Sequence, residues 1–166
     1  MTAPTVSRPV MPDGYGVPET DEGLIDWSWA VERLTDAKNY WFSTTRPDGR
    51  PHAMPAWGAW LDGVLYFDGS PETVRMRNLA KNPAISIHLE SGDEVVIVEG
   101  ESYEVGKPTP EFAQQLAAEL ARKYGPKYEP GVDTWDEGGL YGVRPKVAFG
   151  WSEFPGNVTR WRFAAQ

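Results

Sequence analysis

Apolar and polar positions alternate with a period of two along much of this chain, in short runs broken by turn residues. In segment 84–89, Ile85, Ile87 and Leu89 share one face and Ser86 and His88 the other, which predicts a half-buried strand. Segments 39–45 and 64–67 are rich in aromatic and β-branched residues, 94–105 reads as a long strand, and 146–154 with 157–163 predicts a closing hairpin. The turn signals between them are Arg46-Pro47-Asp48-Gly49-Arg50, Leu61-Asp62-Gly63 and Ser91-Gly92-Asp93. Pro51 to Trp60 reads as one strand between the first two turns, so 39–67 predicts a three-stranded antiparallel meander.

Helical spacing interrupts this pattern. Leu24, Trp27, Ala30, Val31 and Leu34 predict a helix over 21–36 with acids in its first turn. Ser70-Pro71-Glu72-Thr73 places a capping hydroxyl, a proline and an acid before a helix running to about Lys81. Thr109-Pro110-Glu111 repeats the pattern and opens a helix to Tyr124, closed by Gly125. Residues 126–143 predict an irregular loop. Residues 1–20, with four prolines, predict an extended arm lying over the domain or over a partner subunit. The remainder, 21–166, reads as one domain, mainly β with inserted helices. Six or more antiparallel strands of this length suit a small closed or nearly closed barrel.

Charge and composition narrow the chemistry. With 24 acidic and 16 basic side chains the net charge is −8, which argues against nucleic acid or an anionic membrane as a partner. The charge is uneven: 46–81 is net +1 and 144–166 is net +3. If those two segments meet, they form a local anion site. There is no cysteine and there are only two histidines, so disulfides, thiolate nucleophiles and Cys-rich zinc sites are excluded. No HExxH, P-loop, GxGxxG after a strand or GxSxG elbow is present, and the acids at 99–104 and 133–137 match no cation-loop spacing. A resident metal is therefore not expected. No apolar run suits a secretory leader or a membrane span, so the expectation is a soluble cytoplasmic protein.

Three places carry candidate chemistry. The first is the loop and helix start at Gly69, Ser70 and Thr73, with Arg75 one turn on, where hydroxyls, backbone N–H groups and a guanidinium suit a phosphate. The same residues also suit an ordinary capped surface helix with solvated arginines. The second is Met54-Pro55-Ala56-Trp57, where two prolines in one strand, Pro51 and Pro55, imply an edge whose backbone groups are free to meet a flat ring with Trp57 on its face. An edge strand with a core tryptophan explains it equally well. The third is Thr159-Arg160-Trp161-Arg162-Phe163, whose alternation predicts a half-buried strand with a cationic outer stripe.

The order Thr44-Thr45-Arg46-Pro47-Asp48-Gly49-Arg50-Pro51-His52, then Pro55 and Trp57, then Asp62-Gly63-Val64-Leu65-Tyr66-Phe67, then Thr73-Val74-Arg75-Met76-Arg77-Asn78-Leu79 and Asn82-Pro83 resembles the pyridoxamine 5′-phosphate oxidase-like split-barrel superfamily. The resemblance covers roughly residues 25–105 well and the last hairpin loosely. It implies a homodimer that binds FMN or the deazaflavin F420 in clefts between two barrels and passes a hydride to or from a small-molecule substrate. By position it implies that Met54, Pro55, Ala56 and Trp57 line the ring. Gly69, Ser70, Thr73 and Arg75 would hold the phosphate, and Asn78 would support the helix or the ribityl chain. The C-terminal hairpin resembles that of actinobacterial members, which makes Trp151 and Arg160 candidates for closing the site. The vitamin B6 oxidases of the superfamily usually have Arg near 54, Lys near 59 and Gln near 95, where this chain has Met54, Ala59 and Val95. The resemblance thus points away from pyridoxamine phosphate oxidation, and it names no catalytic side chain. A split-barrel protein that holds flavin, haem or another planar ligand without turnover is the alternative, and a degenerate pocket serving only dimer-mediated contacts is a third.

Overall fold

The computed structural model describes residues 3–164. In chain order the elements are β1 (Thr5–Ser7), α1 (Trp27–Asp36), β2 (Tyr40–Thr45), β3 (Pro51–Ala56), β4 (Ala59–Leu61), β5 (Val64–Asp68), α2 (Val74–Leu79), β6 (Ala84–His88), β7 (Val95–Glu104), α3 (Pro110–Tyr124), β8 (Leu140–Trp151) and β9 (Thr159–Arg162). All nine strands join one antiparallel sheet in the order β1-β9-β8-β7-β6-β2-β3, and β5 pairs with β8 and carries β4. The sheet branches at β8, whose first residues pair with β5 and whose later residues pair with β9. This branch lets it curl around one core, so that Phe42 of β2 meets Phe67 of β5 with ring centroids 4.8 Å apart. Among the described residues, β3 and β4 do not pair, and the barrel is open there.

Alternation puts Tyr40 and Phe42, Leu65 and Phe67, Ile85 and Ile87, and Val96 and Val98 inside. Trp27 closes one end of the core against Trp60, Trp161 and Phe163. A second cluster lies outside β4 and β5, where α3 and the loop after it bury Leu116, Leu120, Tyr124, Trp135 and Leu140. No described helix is long and apolar enough to cross a membrane.

The elements differ from the sequence reading in four places. The first helix begins at Trp27 rather than Asp21, because Gly23 has φ +81° and Asp26 is the cap, its carboxylate accepting from the Ser28 N–H at 2.8 Å. Pro51 to Trp60 is two strands, broken at Trp57-Gly58, so 39–67 is not a three-stranded meander. α2 is capped by Thr73 rather than Ser70 and runs only from Val74 to Leu79. Ser70 instead closes the preceding turn, its Oγ accepting from the Glu72 N–H and its carbonyl from the Thr73 N–H. The strand expected from Lys146 begins at Leu140, since Gly138 and Gly139 at φ +96° and +83° return the chain to the sheet. Pro145 is tolerated inside β8 because the ladder shifts register opposite it, at Glu99/Gly100. α3 ends at Tyr124 and is closed by Gly125 as expected, with the Gly125 N–H donating to the Ala121 carbonyl at φ −55° rather than in the left-handed conformation.

The start of the arm is part of the sheet of its own chain. β1 pairs with β9, and Arg8 donates to the carbonyl oxygens of Thr20 and Val158.

Candidate functional site

Arg75 is the most unusual group in the chain. The second residue of α2, it is only 5% exposed and lies against the rings of both Phe42 and Phe67, 5.0 and 4.9 Å from their centroids. Its Nη2 donates to the Asp68 carbonyl oxygen at 3.0 Å, while Nε and Nη1 are buried without a hydrogen-bond partner among the described residues. Burial lowers its pKa, and the neighbouring Asp68 carboxylate only partly opposes that. That carboxylate accepts hydrogen bonds from the Tyr128 hydroxyl and the Trp135 indole instead. A buried guanidinium with two unpaired nitrogens is costly by itself and well matched to an anion.

The other residues predicted around it divide by role. Asn78 is 2% exposed and donates from Nδ2 to the Thr44 hydroxyl at 2.9 Å, tying α2 to β2. The Thr73 Oγ1 donates to the Ser70 carbonyl and accepts from the Met76 N–H, so it serves the cap. A Cβ on Gly69 would stand 2.9 Å from the Met76 side chain, so packing also favours glycine there.

Among the described residues, β3 pairs only with β2, so its outer edge has no strand beside it, and Met54, Pro55 and Ala56 lie on that edge. Trp57 follows, 42% exposed, with one face stacked on Tyr124 at 4.7 Å and 12° and its edge near Tyr128. Tyr128 thereby links the two halves of the site, through its ring to Trp57 and through its hydroxyl to Asp68, whose carbonyl holds Arg75. The last turn of α3 fastens Gly58: Tyr124 Oη accepts from its N–H, and Lys123 Nζ donates to its carbonyl at 3.0 Å. None of Asp68, Lys123, Tyr124, Tyr128 and Trp135 is singled out by the sequence reading, because they meet through contacts of high sequence separation. The only hint in the chain is three aromatic residues at 124, 128 and 135 flanking an otherwise polar loop.

The opposite face of α2 borders a cavity of about 710 Å³, within the range of small-molecule sites. Arg46 and Arg50 reach it from the β2–β3 turn, Arg77 and Lys81 from α2 and the turn after it, and Tyr103 and Tyr141 form its wall. Arg50 is paired with Asp48 at 2.8 Å. The second basic segment only touches this region: Arg144 stacks on Tyr103 at 3.6 Å, while Lys146 pairs with Glu101. Arg160 lies elsewhere, donating to the Ser7 hydroxyl, and Trp151 packs edge-on against Phe154 at 5.8 Å. The full length of β8 separates Trp151 from Gly139, which accepts from Gly69. Within one chain, then, Met54–Trp57 and Gly69–Asn78 are joined through Tyr128, and Trp151 and Arg160 are remote from both.

A model of the family described as pyridoxamine 5′-phosphate oxidase matches residues 30–148. No curated protein sequence matches. Among solved structures, an F420 reductase is similar at 28% identity and a TM-score of 0.54, over 78% of this chain and 98% of that one. An FAD-binding protein from Mesorhizobium loti is similar at 16% identity and a TM-score of 0.58, over 84% and 96%. The haem storage protein from Vibrio cholerae is similar at 20% identity and a TM-score of 0.55, over 69% and 85%. The last two likenesses speak for the fold alone.

Proposed function

Since the chain belongs to the pyridoxamine 5′-phosphate oxidase family, we propose that it is an oxidoreductase binding FMN or F420 in a cleft between two copies of itself and passing a hydride between that cofactor and a small organic substrate. The observation that carries this reading is Arg75, whose buried Nε and Nη1 have no acceptor among the described residues. A cofactor phosphate fits that need, and Ser70, whose hydroxyl proton is not committed in the turn, borders the same loop. When bound, the cofactor supplies the two-electron chemistry, and the protein supplies position and electrostatics.

The chain's own residues divide that work. Arg75 holds the phosphate charge from within the barrel wall, and Asn78 keeps α2 against β2 so that Arg75 stays in place. The free edge of β3 at Met54–Ala56 offers backbone groups to the rim of a flat ring. The open face of Trp57 gives that ring an apolar wall and keeps water from it, while Tyr124 prevents the indole from turning. Trp151 and Arg160 reach a cleft only across the homodimer. Of the two cofactors, F420 is favoured by the 28% identity to an F420 reductase. The cavity beside α2, lined by four cations against the carboxylates of Asp48 and Glu104, favours it too, since F420 has a polyanionic tail and FMN a single phosphate.

Equilibrium dialysis against FMN and F420, with absorbance of the purified protein, tests the reading. Tight binding of one of them is the expected result. Binding of neither overturns it, and a Soret band in place of a flavin or deazaflavin band replaces it with a planar-ligand carrier.

A further inference from the structure

The corner between β3 and β4 is held from outside the sheet. A Cβ on Gly58 would stand 2.7 Å from the Tyr66 carbonyl oxygen, so this backbone is pressed against β5 and can carry no side chain of its own. The last turn of α3 anchors it instead. The Gly58 N–H donates to Tyr124 Oη at 3.1 Å, and Lys123 Nζ donates to the Gly58 carbonyl at 3.0 Å and to Tyr40 Oη at 2.7 Å.

A count of protons shows what the lysine is needed for. Each tyrosine hydroxyl has one proton to give. That of Tyr40 goes to the Leu34 carbonyl, so its oxygen can only accept from Lys123. That of Tyr124 has two carbonyls in reach, Lys38 and Gly58, both at 2.9 Å, and can serve only one. With Lys123 on the Gly58 carbonyl, Tyr124 is free to serve Lys38, and every acceptor is satisfied.

We propose that Lys123 is a positioning residue for Trp57: by holding Gly58 it fixes the corner from which the indole is presented to the cofactor ring. The proposal rests on the function given above. An ammonium is an expensive way to fill this place, and burial pushes the Lys123 amine down to about 8. A methionine would fill similar volume without that cost, so the charge and donors are kept for a use. Lys123 acts on the corner twice, through Gly58 and through its neighbour Tyr124, on which the Trp57 ring is stacked.

The test compares wild type with Lys123→Met and Lys123→Arg, by dialysis against FMN and F420 and by amide hydrogen exchange at Gly58. Lys123→Met is expected to weaken binding of whichever cofactor the wild type holds roughly tenfold, and to speed exchange at Gly58. Lys123→Arg, which keeps the charge and the donors, is expected to recover most of both. If Lys123→Met does not fold, Lys123→Gln takes its place. Wild-type binding with unchanged affinity and unchanged exchange in the variant overturns the positioning role. If the wild type binds neither cofactor, the proposed function fails, and exchange alone decides this inference: faster exchange rescued by arginine supports it, unchanged exchange overturns it.

Discussion

Arg75 illustrates how one residue's surroundings separate a binding role from a structural one. A guanidinium kept only for the fold would be paired, whereas this one has two free buried donors, and its partner's carboxylate is turned to Tyr128 and Trp135. Replacing a buried, incompletely paired cation by an apolar side chain of similar volume is often neutral or stabilising. Arg75→Met should therefore keep or raise the thermal midpoint while weakening cofactor binding about ten- to hundredfold, the loss of a charge-assisted contact. A lower midpoint with unchanged affinity would place the phosphate elsewhere. Lys123 makes a second prediction, through pH. Desolvation is the largest cause of its lowered pKa; Glu119 and Asp36 oppose it, Arg122 adds to it, and the rings of Tyr40 and Tyr124 also face the amine. Folded Lys123 loses its proton near pH 8, whereas the unfolded side chain keeps it to about 10.4. The unfolded state thus binds more protons between those values, and stability contributed by this group rises with pH across the window. The thermal midpoint of wild type minus that of Lys123→Met should grow from pH 7.5 to 9.5. A flat difference would mean that the amine is not desolvated.

At the scale of elements, one carboxylate ties the loop 126–139 to the end of β5. Asp68 ends β5 and accepts from both Tyr128 and Trp135, which lie in a loop some sixty residues later. An Asp68→Asn side chain has one acceptor oxygen instead of two, so one donor is left unserved, a loss of about 1–3 kcal/mol. Limited proteolysis should then cut within 126–139 faster in the variant, and equal rates would show that apolar packing of Trp135 suffices. This loop also marks where the sequence stops being legible. α3 is readable because its cap is local, with Thr109 Oγ1 accepting from the Phe112 N–H. The turn at Asp62-Gly63 is readable because both residues take positive φ, 49° and 81°. The lone edge of β3 follows from its prolines. The break at Trp57-Gly58 does not, because it is imposed by Tyr124 and Lys123, more than sixty residues away. Nor does the burial of Arg75: on a six-residue helix beside Arg77 it reads as a solvated arginine, and only the curl bringing Phe42 to Phe67 encloses it.

For the whole molecule, the −8 total conceals a division of charge that decides which ligands can approach. Apart from Arg75, the cations of 46–81 gather round the cavity beside α2, whereas those of 144–166 are dispersed, with Arg144 against Tyr103, Lys146 on Glu101 and Arg160 on Ser7. The condition under which the two basic segments would form one anion site is thus met only where Arg144 reaches Tyr103. Trp151 and Arg160 lie at the far end of β8 from Gly69, so any part they take in the site requires a second copy. Sedimentation should accordingly show twice the 18.5 kDa of one chain, and a monomer that still binds cofactor would remove them from the site. The cavity separates the two cofactors on electrostatic grounds. A buried phosphate on Arg75 is little screened by salt, whereas a flexible anionic tail over exposed Arg50, Arg77 and Lys81 is screened within roughly 10 Å at 0.1 M ionic strength. Raising salt from 50 mM to 0.5 M should therefore weaken F420 binding more steeply than FMN binding. Lys81→Glu should reproduce that bias at low salt, lowering F420 affinity by roughly two- to fivefold and leaving FMN nearly unaffected. Parallel losses for both cofactors would mean that the cavity holds no part of the tail, and that selectivity rests on the ring edge presented to β3.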